Sequence, residues 1–239
     1  MLVAAGLIAS PPLAAADTIQ PIGGAGDDVF TYQFLSTFNF KDGQFGTILS
    51  AGKTTSGHDT ESLLHYDLSG AGLSSAQVTS ATFQLYVDNT AAAGFGASPD
   101  ASHPIQIDLY PLASSPAWDA STVTWSTMPG AVGATPAASV TISAINQYVT
   151  FDVTSLVQQW IGGSLANNGF LLVQHEAVSD GSNDYVGVFD SSGGSHAPLL
   201  MIVPEPATMA LALVAVPPVT WVLRRRAART RGAGQGAKR

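Results

Sequence analysis

The chain has 239 residues, a net charge of -8 and only 11% charged residues, while 24 Gly and 14 Pro point to many short elements joined by turns in one sizeable domain. It has no cysteine, which excludes disulfides, thiolate metal sites and cysteine nucleophiles. Residues 17–203 hold 16 acids against two lysines, a net charge of -14, which repels phosphates and excludes nucleic acid as a partner. The same charge keeps the domain soluble and attracts cations such as calcium.

In chain order, residues 1–16 form an apolar run closing on small residues. Ala14 and Ala16 satisfy an A-x-A pattern, so a signal peptide cleaved before Asp17 is expected. No cation precedes Lys41, and a leader without its cationic end suggests a true start codon further upstream. "GAGDDVF" then presents Asp27 and Asp28 as candidate calcium ligands in a loop.

Strands are expected next, at "GTILSAG" and "SLLHYDLS", where Asp67 is a further candidate carboxylate, as is Asp17 at the start of the domain. "SATFQLYVD" alternates Ala81, Phe83, Leu85 and Val87 inward with Thr82, Gln84, Tyr86 and Asp88 outward. "PIQIDLYPL" does the same, with Gln106, Asp108 and Tyr110 outward, and "YVTFDVT" places Val149, Phe151 and Val153 inward. "DVTSLVQQWIGG" predicts a short helix with Thr154 as N-cap, an apolar face of Leu156, Val157, Trp160 and Ile161, and a stop at Gly162. "GFLLVQH", "YVGVFDS" and "APLLMIV" complete the strands; the apolar runs Phe170–Val173 and Leu199–Val203 predict strands covered on both faces. "SDGSNDY" between them offers Asp180 and Asp184 as calcium ligands. The pattern predicts an all-β, jelly-roll-type β-sandwich with one short helix.

Aromatic faces stack on sugar rings, so Trp118 and Trp125, which bracket the turn "AWDASTVTW", and the outward Tyr86 and Tyr110 are the candidate carbohydrate platforms. Tyr32 and Tyr185 are additional ones, and packing competes with that role for Trp125 as for Trp160. The five His have no metal-ligand spacing, and no nucleophile elbow or phosphate loop occurs, so nothing in the sequence points to catalysis.

Residues 207–223 are uncharged and long enough for a membrane-spanning helix, followed by Arg224, Arg225 and Arg226 on the cytoplasmic side. "VPEP" (Pro204, Glu205, Pro206), the apolar span and the arginines together resemble the PEP-CTERM sorting signal of bacteria. That resemblance implies export across the inner membrane, transient anchoring, processing by an exosortase-type enzyme, and an exopolysaccharide setting at the cell surface or in the matrix. The organisation expected is a signal peptide at 1–16, a β-sandwich domain at 17–203 and a sorting segment at 204–239.

Four phrases in order, "SLLHYDLSGAGLSSAQVTSATFQLYV", "AWDASTVTWSTMP", "VTFDVTSLVQQWIGGSLANNGFLLV" and "VFDSSGGSHAPLLMIV", resemble the DNRLRE-type domain, an extracellular β-sandwich related to disaggregatase and to carbohydrate-binding modules. The resemblance implies a non-catalytic protein that binds exopolysaccharide. Two alternatives stay open: a structural matrix protein with protein contacts only, and a polysaccharide-cleaving enzyme. "GHDTESLLHYDLS" holds no arginine, which argues against an acidic polysaccharide, and Tyr66 stands where the pattern has Phe.

Overall fold

Eleven antiparallel strands, one α-helix and short 3-10 turns at Gln33–Leu35 and Ser75–Gln77 make up the regular structure in the computed structural model, which describes residues 28–41, 45, 47–88, 95–175 and 185–205 and the backbone of 17–19. The strands are β1 (Asp17–Ile19), β2 (Asp28–Tyr32), β3 (Ile48–Lys53), β4 (Asp59–Leu64), β5 (Val78–Val87), β6 (Ile105–Pro111), β7 (Ala138–Ile142), β8 (Gln147–Asp152), β9 (Phe170–Gln174), β10 (Val186–Asp190) and β11 (Leu199–Pro204), with α1 at Thr154–Ile161. They hydrogen-bond along one path, β1-β11-β5-β10-β3-β4-β9-β6-β7, with β8 added to β5 and β2 to β4. The signal, membrane-spanning and arginine segments expected at 1–16 and 206–239 lie outside the described residues. Among the described residues no helix is long and apolar enough to cross a membrane.

The alternation read from the sequence sets the layers. Ala81, Phe83, Leu85 and Val87 of β5 and Val149 and Phe151 of β8 are buried on one side of the core. Ile107 and Leu109 of β6 and Phe170 and Leu172 of β9 meet them from the other half of the path. At the centre Phe83 stacks on Phe151 (5.7 Å) and on Phe170 (5.0 Å), so the two halves pack as an all-β sandwich.

Helix α1 closes one end. Leu156, Val157 and Trp160 are its buried face, Gly162 ends it, and Gln158 Nε2 donates to Val78 O at the start of β5. The helix starts one residue earlier than expected. Val153 occupies the N-cap, because Thr154 Oγ1 turns to Asp152 and to the Ala81 backbone instead of capping.

Three expectations are corrected. Asp28 belongs to strand β2, not to a loop. Asp108, outward by alternation, is buried: Ser139 Oγ, Gln106 Nε2 and His175 Nδ1 all donate to its carboxylate. Burial raises its pKa, but these three hydrogen bonds win and hold the carboxyl below its usual range. The run in β11 is covered on one face only. Leu200 and Ile202 are buried while Leu199 and Met201 are half-buried and Val203 is exposed.

A second apolar cluster lies away from the central one. Val29, Phe30, Phe40, Leu63, Phe95, Val123 and Leu171 are among its members, and the long connections flanking β6 supply Phe95, Leu112, Ala120 and Val123.

One buried polar atom marks a local cost. Tyr66 Oη is fully buried between Phe83 and Phe170 and has no hydrogen-bond partner. An unsatisfied buried hydroxyl costs about 1–3 kcal/mol. Tyr66→Phe is therefore expected to raise stability by roughly 1 kcal/mol or more in urea unfolding; a loss of stability would show that the hydroxyl is satisfied.

Candidate functional site

The end of the sandwich where β4 and β6 stop and β9 starts carries a cleft. Leu64 of β4 pairs with Phe170 of β9, which also pairs with Pro111 of β6, so three chain segments diverge from one place. The cleft has a volume of about 140 Å³ and is lined by His65, Ala113, Ser114, Ala117, Trp118, Asn167 and Asn168.

Its floor is fixed by backbone geometry. Gly169 has φ +97°, and a side chain there would collide with the Leu64 carbonyl, so only glycine allows β9 to start this close to β4. Asn167 Nδ2 donates to Tyr66 O at 2.7 Å and its Oδ1 accepts from Gly169 N at 3.3 Å, which pins the bend. Trp118 Nε1 donates to Asn168 O at 2.8 Å. The indole is half-buried against the second cluster, with its polar edge satisfied and its orientation set. An Asn side chain offers two N–H donors and two acceptor lone pairs, so each amide keeps capacity beyond these contacts. A half-buried indole beside amides and a hydroxyl sets an apolar surface and neutral hydrogen-bonding groups in one place.

The other predicted platforms are scattered. Trp125 is half-buried in the turn after Val123 and does not line the cleft. Tyr110 of β6 packs against the second cluster, and burial, then the charge of Asp108, raise its pKa. Tyr86 lies on the outward face of β5, where its ring stacks on His196 with centroids 3.8 Å apart. Tyr32 hydrogen-bonds Ser56 Oγ at 2.9 Å, and Tyr185 stacks on His103.

The predicted carboxylates that can be placed have other partners. Asp28 accepts from Lys41 Nζ at 3.0 Å and from Ser192 N and Oγ at 2.6 and 2.7 Å. Asp67 is exposed and accepts from Ser69 N at 2.8 Å, and the Ser69 hydroxyl and N–H hold its carboxyl below the usual range. Among the described residues no group of three His, Asp or Glu could hold a metal ion. Asp27, Asp180 and Asp184 lie outside the described residues, as does the Asp17 side chain. Of the sorting residues, Pro204 ends β11 and Glu205 N donates to Gln77 O, while Ala16, Pro206, Arg224, Arg225 and Arg226 are outside.

Sequence reasoning missed two surface features. Phe34, Leu35 and Phe38 are exposed on the turn after β2, a stretch without alternation to mark it. The exposed Tyr148 and the half-buried His196 join the half-buried Tyr86 in one surface group, and only the outward position of Tyr148 in "YVTFDVT" hinted at it.

No curated protein matches the chain. Residues 39–204, which include every residue of the cleft, match the profile of carbohydrate-binding module family 96, and the chain belongs to that family.

Proposed function

We propose that the protein is a non-catalytic, extracellular module that holds a neutral polysaccharide, with Trp118 as its central platform. The observation that carries this reading is the half-buried Trp118 indole, anchored through Nε1 and lining a cleft whose other walls are two alanines, uncharged amides, a hydroxyl and His65. No Lys or Arg lines the cleft, so nothing there would offset the charge of a uronate polymer.

Truncating a central aromatic anchor typically costs about 2 kcal/mol of binding, roughly thirtyfold in Kd. Trp118→Ala in the full chain should thus weaken retardation by at least about tenfold in gels containing galactomannan or hydroxyethyl cellulose, with a native-like circular dichroism spectrum showing that the domain still folds. Equal retardation of native and variant chains would contradict the assignment. A chelator arm of the same experiment tests calcium, for which Asp27, Asp180 and Asp184 are the candidate ligands.

A second reading, contact with other proteins, rests on the exposed Phe34, Leu35 and Phe38. Matrix association that survives Trp118→Ala but is lost in Phe34→Ser/Phe38→Ser favours it.

Export and exopolysaccharide association complete the proposal, supported by the "VPEP"–apolar–arginine order at 203–226. Unchanged processing after alanine replacement of residues 204–206 would contradict that part.

A further inference from the structure

The outward face of β5 and β8 carries a second aromatic group, built differently from the cleft. Strand pairing sets Tyr86 directly across from Tyr148 and Gln84 across from Thr150. Tyr148 is 46% exposed, and its ring stands edge-on to Tyr86 at 5.1 Å. His196 arrives from the β10–β11 connection and stacks on Tyr86 at 3.8 Å, with ring planes 20° apart, while standing edge-on to Tyr148 at 6.1 Å. Its orientation is fixed from behind: Asp190, at the end of β10 and almost fully buried, accepts from both His196 N (2.9 Å) and Nδ1 (2.8 Å). Three aromatic rings are thereby held rigidly on an exposed strand face, with little rotamer freedom left to lose on binding.

The row beyond them is polar and uncharged, with Gln84 Nε2 3.4 Å from Thr150 Oγ1. Asp152, across from Thr82 at one end, and Asp88, two residues past Tyr86 at the other, are carboxylates. A flat strip with aromatic rings at one end and amide and hydroxyl groups along its length matches a neutral glycan chain lying parallel to the strands. The strip has carboxylates and no lysine or arginine, so a uronate polymer does not fit its charge.

Its position relative to the cleft follows from the register. The cleft sits where β6 ends at Pro111 and Leu112. Tyr148 sits at the start of β8, which the chain enters from Ile142 of β7, the partner of Ile105 at the start of β6. The two sites therefore lie at opposite ends of the sandwich and on different halves of the strand path. Seven residues of strand span roughly 20 Å, so one short oligosaccharide does not bridge both.

We infer that Tyr86, Tyr148 and His196 form a second glycan-binding site, and that the domain is bivalent and cross-links separate polysaccharide chains. This rests on the glycan reading of the Trp118 cleft, and the experiment separates the two. The full chain, Trp118→Ala, Tyr148→Thr and the double variant are compared for retention on hydroxyethyl cellulose and galactomannan, and for clumping of beads coated with the same polymers. Threonine suits an exposed strand position, so folding is preserved. Each single variant should lose about tenfold in retention and all clumping, the double variant should lose both completely, and Tyr148→Phe should behave as native. Clumping by Tyr148→Thr equal to native, or persisting in the double variant, overturns bivalency and leaves the cleft standing. Loss in Tyr148→Thr with none in Trp118→Ala overturns the cleft and leaves this face standing. No retention of the native chain on either polymer overturns both.

Discussion

Asp28→Asn is expected to destabilise the protein by about 3–5 kcal/mol, the usual cost of removing one partner of a buried ion pair. The Asp28 side chain is wholly buried and that of Lys41 is 14% exposed, so water replaces little of what is lost. Every contact of the carboxylate is charge-assisted or made to a fixed backbone donor: Lys41 Nζ, Ser192 N and Ser192 Oγ. An asparagine keeps one acceptor, turns an N–H₂ toward donors and removes the negative charge that faces Lys41. For a domain of this size the shift in Tm is on the order of 10 °C. The same change distinguishes two roles for this aspartate. Melting with calcium and with a chelator should show the same drop in both, because the partner is lysine. A drop seen only with calcium would make Asp28 a metal ligand.

Glu61→Gln should act in the opposite direction, increasingly as pH rises above about 4.5. Burial, and then the nearby charge of Asp59, push the pKa of Glu61 from 4.5 up to about 7. The sign follows from proton linkage. Between the unfolded value and about 7 the folded chain binds more protons than the unfolded chain, so stability falls as pH rises through this window. The contribution is fully present below about pH 4.5 and is lost above pH 7, a difference of about 3 kcal/mol. Glutamine keeps the shape without the ionisation. The variant should match the native chain near pH 4.5, and by pH 8 exceed it by up to about 3 kcal/mol. Parallel stability curves from pH 4.5 to 8 would show that Glu61 is not desolvated in the fold.

The sequence could be read where one face of a strand is buried and the other wet. In β5 and β8 the pattern at Phe83, Leu85, Val149 and Phe151 is the packing itself. It could not be read where distant groups change an environment. Asp108 looks outward by alternation and is buried because His175 and Ser139, from β9's end and β7, converge on it. Strand β2 was hidden by its own carboxylate, since Asp28 in a glycine-rich stretch resembles a loop until Lys41 and Ser192 are placed around it. Trp118 was legible as an aromatic beside a turn. Its partners Asn167 and Asn168 lie some fifty residues away, and only the tight start of β9 at Gly169 brings them together. Tyr148 and His196 escaped notice for the same reason: their meeting depends on Asp190 holding the β10–β11 connection against β5.

The central claim is that an uncharged sugar ring stacks on Trp118. The measurement that tests it most directly is calorimetric titration of the native full chain and Trp118→Ala with neutral gluco- and manno-oligosaccharides, with oligouronates in parallel at low salt. The account predicts saturable binding of a neutral oligosaccharide, weakened about thirtyfold in Trp118→Ala, and no binding of uronates. Binding of oligouronates alone, or neutral binding untouched by the loss of Trp118, would contradict it.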